Sequence, residues 1–252
     1  MRKLIVVALV FVFASCAKNT DQELPKTQQV TFDFKIVSEQ SMTRAVNNDD
    51  IANWIETALP EKLALKLIDA NGTRYNIETG TSVELPIGIY SVTGKNTPTA
   101  SASVVGTDVF FSVSRPTIVV NTSIEITYTQ KSYVIPATYG AFGIVVDYEE
   151  TASASFTSSH GETGNIEFAQ VGTSGIVFVN GTLGTHTFNV TLTPVNATDY
   201  EPTTYTFQTA YSATSVSPTF GNYYIIHPKG ISSVEGGTFG YSIAGFRPVD
   251  VE

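Results

Sequence analysis

The residues able to do chemistry are few and stand far apart. Cys16 is the only cysteine in 252 residues. Its thiol therefore cannot form an internal disulfide, and an odd cysteine in an exported chain needs its own explanation. Of the three histidines, His160 falls in the turn-like SSHGETG, His186 opens a strand and His227 precedes Pro228. None has a second His or Cys at the spacing a zinc site uses. The acidic pairs Asp49-Asp50 and Glu149-Glu150 offer carboxylates, but neighbours in an extended strand point to opposite faces. Solvated charge is the ordinary reading of such pairs. A glycosidase would need two acids from distant strands brought within ~5–10 Å of each other. The chain contains no G-x-S-x-G, no H-E-x-x-H and no glycine-rich phosphate loop. It reads as a non-enzyme with no catalytic, cofactor-binding or metal-binding residues, and no cofactor is expected.

The surroundings of Cys16 explain it best. Met1-Arg2-Lys3 is followed by an apolar run from Leu4 to Phe13 and the small pair Ala14-Ser15. This order makes a secretory signal peptide over residues 1–15, too short to be a membrane-spanning helix of roughly 20 residues. FASC resembles the bacterial lipobox, with Phe13 where Leu is usual, and the resemblance implies that the Cys16 thiol is diacylated and becomes the mature N-terminus. Several acyl chains, each burying methylenes worth ~0.8 kcal/mol, hold a protein stably on a membrane where one is marginal. Residues 16–28 then read as a polar tether. The expected location is the outer membrane or cell surface, lipid-anchored and reached by the Sec route. Lys18 after Ala17 is not the Asp that signals inner-membrane retention in many bacteria.

Cleavage before Cys16 removes Arg2 and Lys3 and no acid. It leaves 12 Lys and Arg against 23 Asp and Glu, a net charge of −11 in place of −9. An acidic surface repels phosphate backbones, so nucleic acid is not an expected partner. The abundance of Thr, Ser, Val, Tyr and Phe suits pleated, half-buried surfaces.

The elements that position these residues are strands. VTFDFKIV (30–37) puts Val30, Phe32, Phe34 and Ile36 on one face, the alternation of a half-buried strand. KLALKLID (62–69) alternates Leu63, Leu65 and Leu67 with polar or small residues. Asn71-Gly72 then predicts a two-residue hairpin returning through TRYNIET. Strand, Pro-x-Gly turn and strand follow over 83–94, with further strands at 108–114, 117–121 and 123–135. The second half continues with strands at 142–148, 153–158, 164–171, 174–180, 185–195, 203–210, 222–228 and 237–246, punctuated at sandwich spacing. One helix is expected over 47–59, with an apolar stripe of Ile51, Trp54, Ile55, Ala58 and Leu59 that stops at Pro60. The fold class is all-β: two tandem β-sandwiches, 29–136 and 137–252, with one short helix.

The aromatic residues of the second half raise a glycan-binding reading. Tyr200, Tyr205 and Tyr211 flank or occupy the 203–210 strand, and Tyr223-Tyr224 predicts one ring in the core and one in water. Exposed rings stack on sugars. A surface glycan-binding lipoprotein of a polysaccharide-uptake system is the alternative this supports.

A more specific resemblance comes from MTRAV (42–46). A lipobox, a polar tether, one strand and then this stretch resemble the fimbrillin-like lipoproteins of Bacteroidetes, the type V pilus subunits. ELPIGIYSVTG (84–94) resembles the strand–turn–strand of their transthyretin-like, Greek-key N-terminal domain. The resemblance implies a structural subunit or accessory of pilus assembly or adhesion. It also implies proteolytic processing between Arg44 and Ala45 that releases the lipid together with the first strand. The exposed slot would then accept a strand from another pilus subunit. The C-terminal stretch 237–252 is the candidate donor, with Pro248 a hindrance to pairing late in it.

Overall fold

The computed structural model describes residues 26–37, 49–210, 215–231 and 241–245. Cys16, the tether up to Pro25 and the 42–46 stretch lie outside them. The chain begins with β1 (Thr27–Ile36), α1 (Asp49–Thr57), β2 (Ala64–Asp69) and β3 (Arg74–Glu78). β4 (Ser82–Pro86), β5 (Gly88–Lys95), β6 (Ala102–Val105), β7 (Val109–Ser112), β8 (Ile118–Ile126) and β9 (Ser132–Tyr139) complete the first half. The second half holds β10 (Ala141–Asp147), β11 (Thr151–Ser158), β12 (Thr163–Asn165), β13 (Ala169–Val171) and β14 (Ser174–Asn180). It ends with β15 (Thr187–Pro194), β16 (Tyr200–Glu201), β17 (Thr203–Gln208), β18 (Asn222–Ile226), β19 (Lys229–Gly230) and β20 (Tyr241–Gly245). The protein is all-β with one short helix among the described residues, as its alternation predicts.

The first sheet runs β3-β2-β5-β8-β9-β1-β4. β8 and β9 share only the pairs Ile118↔Tyr139 and Val119↔Thr138, so the path bends there into two layers. Leu65, Leu67, Tyr90, Val92 and Val120 from one layer meet Phe32, Phe34, Leu85 and Ile135 from the other in a single buried cluster. The second sheet runs β20-β18-β10-β14-β7-β6. Its β6–β7 hairpin comes from before residue 136 and pairs with β14, while position 136 itself lies inside β9. A third sheet, β12-β11-β15-β17, covers the far side.

The middle sheet is thus buried on both faces. On β10, Ala141 and Val145 join the first core while Phe142, Ile144 and Val146 join the second. β14 divides likewise, Ile176 and Phe178 to one side and Val177 and Val179 to the other. A strand covered on both faces reads as a continuous apolar run, hence FGIVV and GIVFV. The same geometry corrects the expectation for Tyr223-Tyr224. Neither ring is in water, because each enters a different core.

α1 follows the predicted stripe. Ile51 and Ile55 are buried, and Trp54 stacks on Phe178 of β14 with ring centroids 5.6 Å apart. The β2–β3 hairpin forms, but with a three-residue loop instead of two. Asp69 N donates to Thr73 O at 3.1 Å, and the Asp69 carboxylate accepts from Asn71 N and Thr73 N at 2.9 and 2.8 Å. Gly72 supplies the positive φ of 82° that such a loop requires. The strand expected over 117–121 continues unbroken to Ile126, and β9 starts only at Ser132. The 83–94 strands lie on different neighbours, β4 on β1 and β5 on β2 and β8.

A glycine marks the crossing between layers. Gly181 has φ 90° and donates to Gly140 O at 3.1 Å, and a Cβ there would run into the carbonyl oxygen of Asp108. Gly184 has φ 58° with open space around it. Gly184→Ala is expected to cost about 1–2 kcal/mol of left-handed strain alone. Gly181→Ala should cost more than that, since the β6–β7 turn must move. Urea unfolding of the two variants checks the order, and equal costs would contradict it.

Candidate functional site

The strand with the most depending on it is β1. Its C-terminal half lies parallel to β9, from Thr31↔Ser132 to Ile36↔Ala137. Its N-terminal half lies antiparallel to β4, from Thr27↔Pro86 to Thr31↔Ser82. Val30, Phe32, Phe34 and Ile36 all point inward and are at most 3% exposed, while Lys35 points out. Phe32 stacks on Tyr133 of β9, centroids 5.6 Å apart and planes at 26°. The Tyr133 hydroxyl is held by the amide of Thr127, which donates to it at 3.0 Å.

Backbone bonds close both ends of the strand. Thr31 N donates to Lys131 O and Val37 N to Ala137 O, each at 2.9 Å. Gly80 N donates to Phe32 O at 2.7 Å and Ile87 N to Lys26 O at 3.1 Å. Among the described residues β4 is paired with β1 alone. Tyr90 reaches across from β5, its hydroxyl donating to Pro86 O at 2.7 Å. Burial above all, then the charges of Tyr75 and Asp69, pushes that phenol up to about 12. Without β1 the molecule would present a slot bounded by β9 and β4. The slot has four apolar side-chain sites at alternate positions, and its backbone polarity is set by β9.

The segment leaving the slot carries the expected processing site. Val37 is already exposed, and α1 begins at Asp49. Arg44 and Ala45 fall in the intervening stretch and lie outside the described residues, as does Cys16. Asp49-Asp50 forms the first turn of α1.

The histidines are brought to partners that sequence spacing did not show. His160 and His186 meet edge to face with centroids 5.5 Å apart, because β15 lies beside β11. His227 Nδ1 lies 2.8 Å from Glu150 Oε2, and Tyr205 donates its hydroxyl proton to His227 O at 2.7 Å. No group of three or more His, Cys, Asp or Glu placed to hold a metal occurs among the described residues. Tyr205, Tyr223 and Tyr224 are buried and form no platform for sugars. Tyr200 is half-buried and Tyr211 lies outside the described residues.

Glu162 is the most perturbed acid among the described residues. Ser158 donates to its Oε2 at 2.7 Å and Gly106 N to its Oε1 at 3.2 Å, with His160 Nδ1 3.2 Å from the same oxygen. These bonds, Ser158 first, hold its carboxyl at about 2 and tie the β11–β12 turn to the β6–β7 turn. A depressed folded value means that the contribution is present above the unfolded carboxyl range and disappears as pH falls toward about 2. The difference in Tm between wild type and Glu162→Gln should therefore be full near neutrality and shrink between about pH 4.5 and 2. A difference constant across that window would contradict the assignment.

No protein-family model matches the chain, and no curated protein does. Solved structures that the chain resembles include several from the Bacteroidales. A candidate cell adhesion protein from Bacteroides uniformis is 9% identical, over 87% of this chain and 98% of that one, with a TM-score of 0.44. A fimbrial assembly protein from Parabacteroides distasonis is 10% identical, over 79% and 91%, with a TM-score of 0.41. A candidate cell adhesion protein from the same organism is 13% identical, over 88% and 99%, with a TM-score of 0.40.

Proposed function

We propose that this chain is a lipid-anchored cell-surface protein of the fimbrillin-like kind, a non-enzymatic subunit or accessory of fimbrial assembly or adhesion. In this reading Cys16 carries the lipid and processing falls after Arg44. The observation that carries it is the placement of β1: an interior strand of its sheet, with all four apolar side chains buried, followed directly by the stretch that holds Arg44.

A cut there breaks the covalent link between β1 and the body of the protein, so that β1 is held by its ladders and buried side chains alone. α1, just beyond the cut, stays fastened through Ile51, Ile55 and the Trp54–Phe178 stack. A strand from a second subunit can then displace β1 and take its slot by β-augmentation. Head-to-tail filling does not close, so it yields a filament. The incoming strand must run parallel to β9 and antiparallel to β4, with apolar residues at alternate positions. The donor proposed from the sequence, 237–252, contains β20, which among the described residues is an edge strand with β18 as its one partner. An edge strand leaves its sheet at the cost of one ladder instead of two.

Treating purified chain with an Arg-specific protease, with the new N-terminus read by mass spectrometry, tests the proposal. The expected product begins at Ala45 and forms higher-order species by size-exclusion chromatography and electron microscopy, whereas Arg44→Ala stays monomeric. Cut protein that remains a folded monomer would sink the polymerisation reading.

A further inference from the structure

The outer face of the β3-β2-β5-β8 layer, remote from the β1 slot in the sheet order, carries a feature that subunit joining does not use. Strand register places Asn76, Lys66, Thr93 and Asn121 in one straight row across four strands. At ~4.8 Å between neighbouring strands the row spans roughly 14 Å. Ala64, opposite Glu78, and Lys95, opposite Val119, adjoin this row, and Ala64, Lys95 and Val119 line with it an open groove of about 630 Å3.

The charge of this groove is opposite to that of the protein. The chain carries a net −9, yet the groove lining holds two lysines and no carboxylate. Neither Lys66 nor Lys95 is ion-paired among the described residues. Glu78, opposite Ala64, is engaged by Lys62 at 3.5 Å. Both lysines are thus free to meet an anion laid along the row.

Two features select the kind of anion. β2, β5 and β8 are each paired on both sides, so a peptide could extend the sheet only at the outer edge of β3, beside the groove and not along its floor. What it offers is two amides and a hydroxyl, groups that both donate and accept, set among the apolar surfaces of Ala64 and Val119 and the lysine stems. Hydroxyl-rich rings with an apolar face and a carboxylate match that pattern. The geometry points to a binding site for an acidic polysaccharide, a uronic-acid polymer lying across the strands with its carboxylates at Lys66 and Lys95. The site is independent of the slot and of whether the chain polymerises.

Affinity electrophoresis of the full chain in gels containing polygalacturonate, dextran or polyglutamate tests this. Retardation by polygalacturonate alone is expected. It should weaken at least tenfold in the double variant Lys66→Ala/Lys95→Ala and clearly in Asn76→Ala/Asn121→Ala. Arg115→Ala, which removes an exposed charge elsewhere, should bind as wild type does. Circular dichroism establishes that each variant is folded. Absence of retardation, equal retardation by polyglutamate, or equal weakening in Arg115→Ala would each overturn the proposal.

Discussion

The structure depends on the burial of one face of β1. Four apolar side chains, fully withdrawn from water at about 1.5–3 kcal/mol each, contribute an amount comparable to the ~5–15 kcal/mol net stability of a typical domain. Among the described residues β4 has its ladder only through β1, and the Gly80 amide and the Tyr133 ring find their partners on Phe32. A strand holding that much in place leaves at a large cost unless a strand of the same pattern replaces it. Under the proposed function this burial is the physical basis for an exchangeable strand: an empty slot would be costly enough to drive capture, and its polarity and spacing would choose what it captures.

The second constraint is the shared middle sheet. Because β10, β14 and β18 give one face to each core, the far sandwich does not rely on β1. Phe111, Phe156, Phe188 and Phe207 pack there in a chain of ring contacts with centroids 5.0–5.7 Å apart. Asn180 fastens the layers where they meet, its Oδ1 accepting from the amide and hydroxyl of Thr117 at 2.7 and 2.9 Å. α1 wedges against the same sheet from the near side. Loss of β1 would thus be felt in one core while the other holds the molecule together.

The parts of this legible in sequence were those with a local period. The inward set of β1, the stripe of α1 and most strand positions follow from alternation at two or about 3.6 residues. Layer order was not legible. FGIVV and GIVFV reveal burial on both faces only once the second covering layer is known, and Tyr223-Tyr224 misled for that reason. The meeting of His160 with His186, and of His227 with Glu150, depends on strands distant in sequence becoming neighbours, which no spacing encodes. The polar row across β3, β2, β5 and β8 was likewise invisible, because it is a property of register. What a sequence signal could have offered was the outward set of each strand, Lys66, Asn76, Thr93 and Asn121 among them, awaiting the register that aligns them.

The central claim is that β1 occupies a slot that another strand of the same pattern can refill. Amide hydrogen exchange across β9 and β4 measures this directly. Protection there should fall after the 38–48 connection is cut and β1 removed. It should return on adding a peptide with the sequence of residues 27–36, and fail to return with a peptide in which Phe32 and Phe34 are serine. Protection that survives removal of β1, or that either peptide restores equally, would contradict the account.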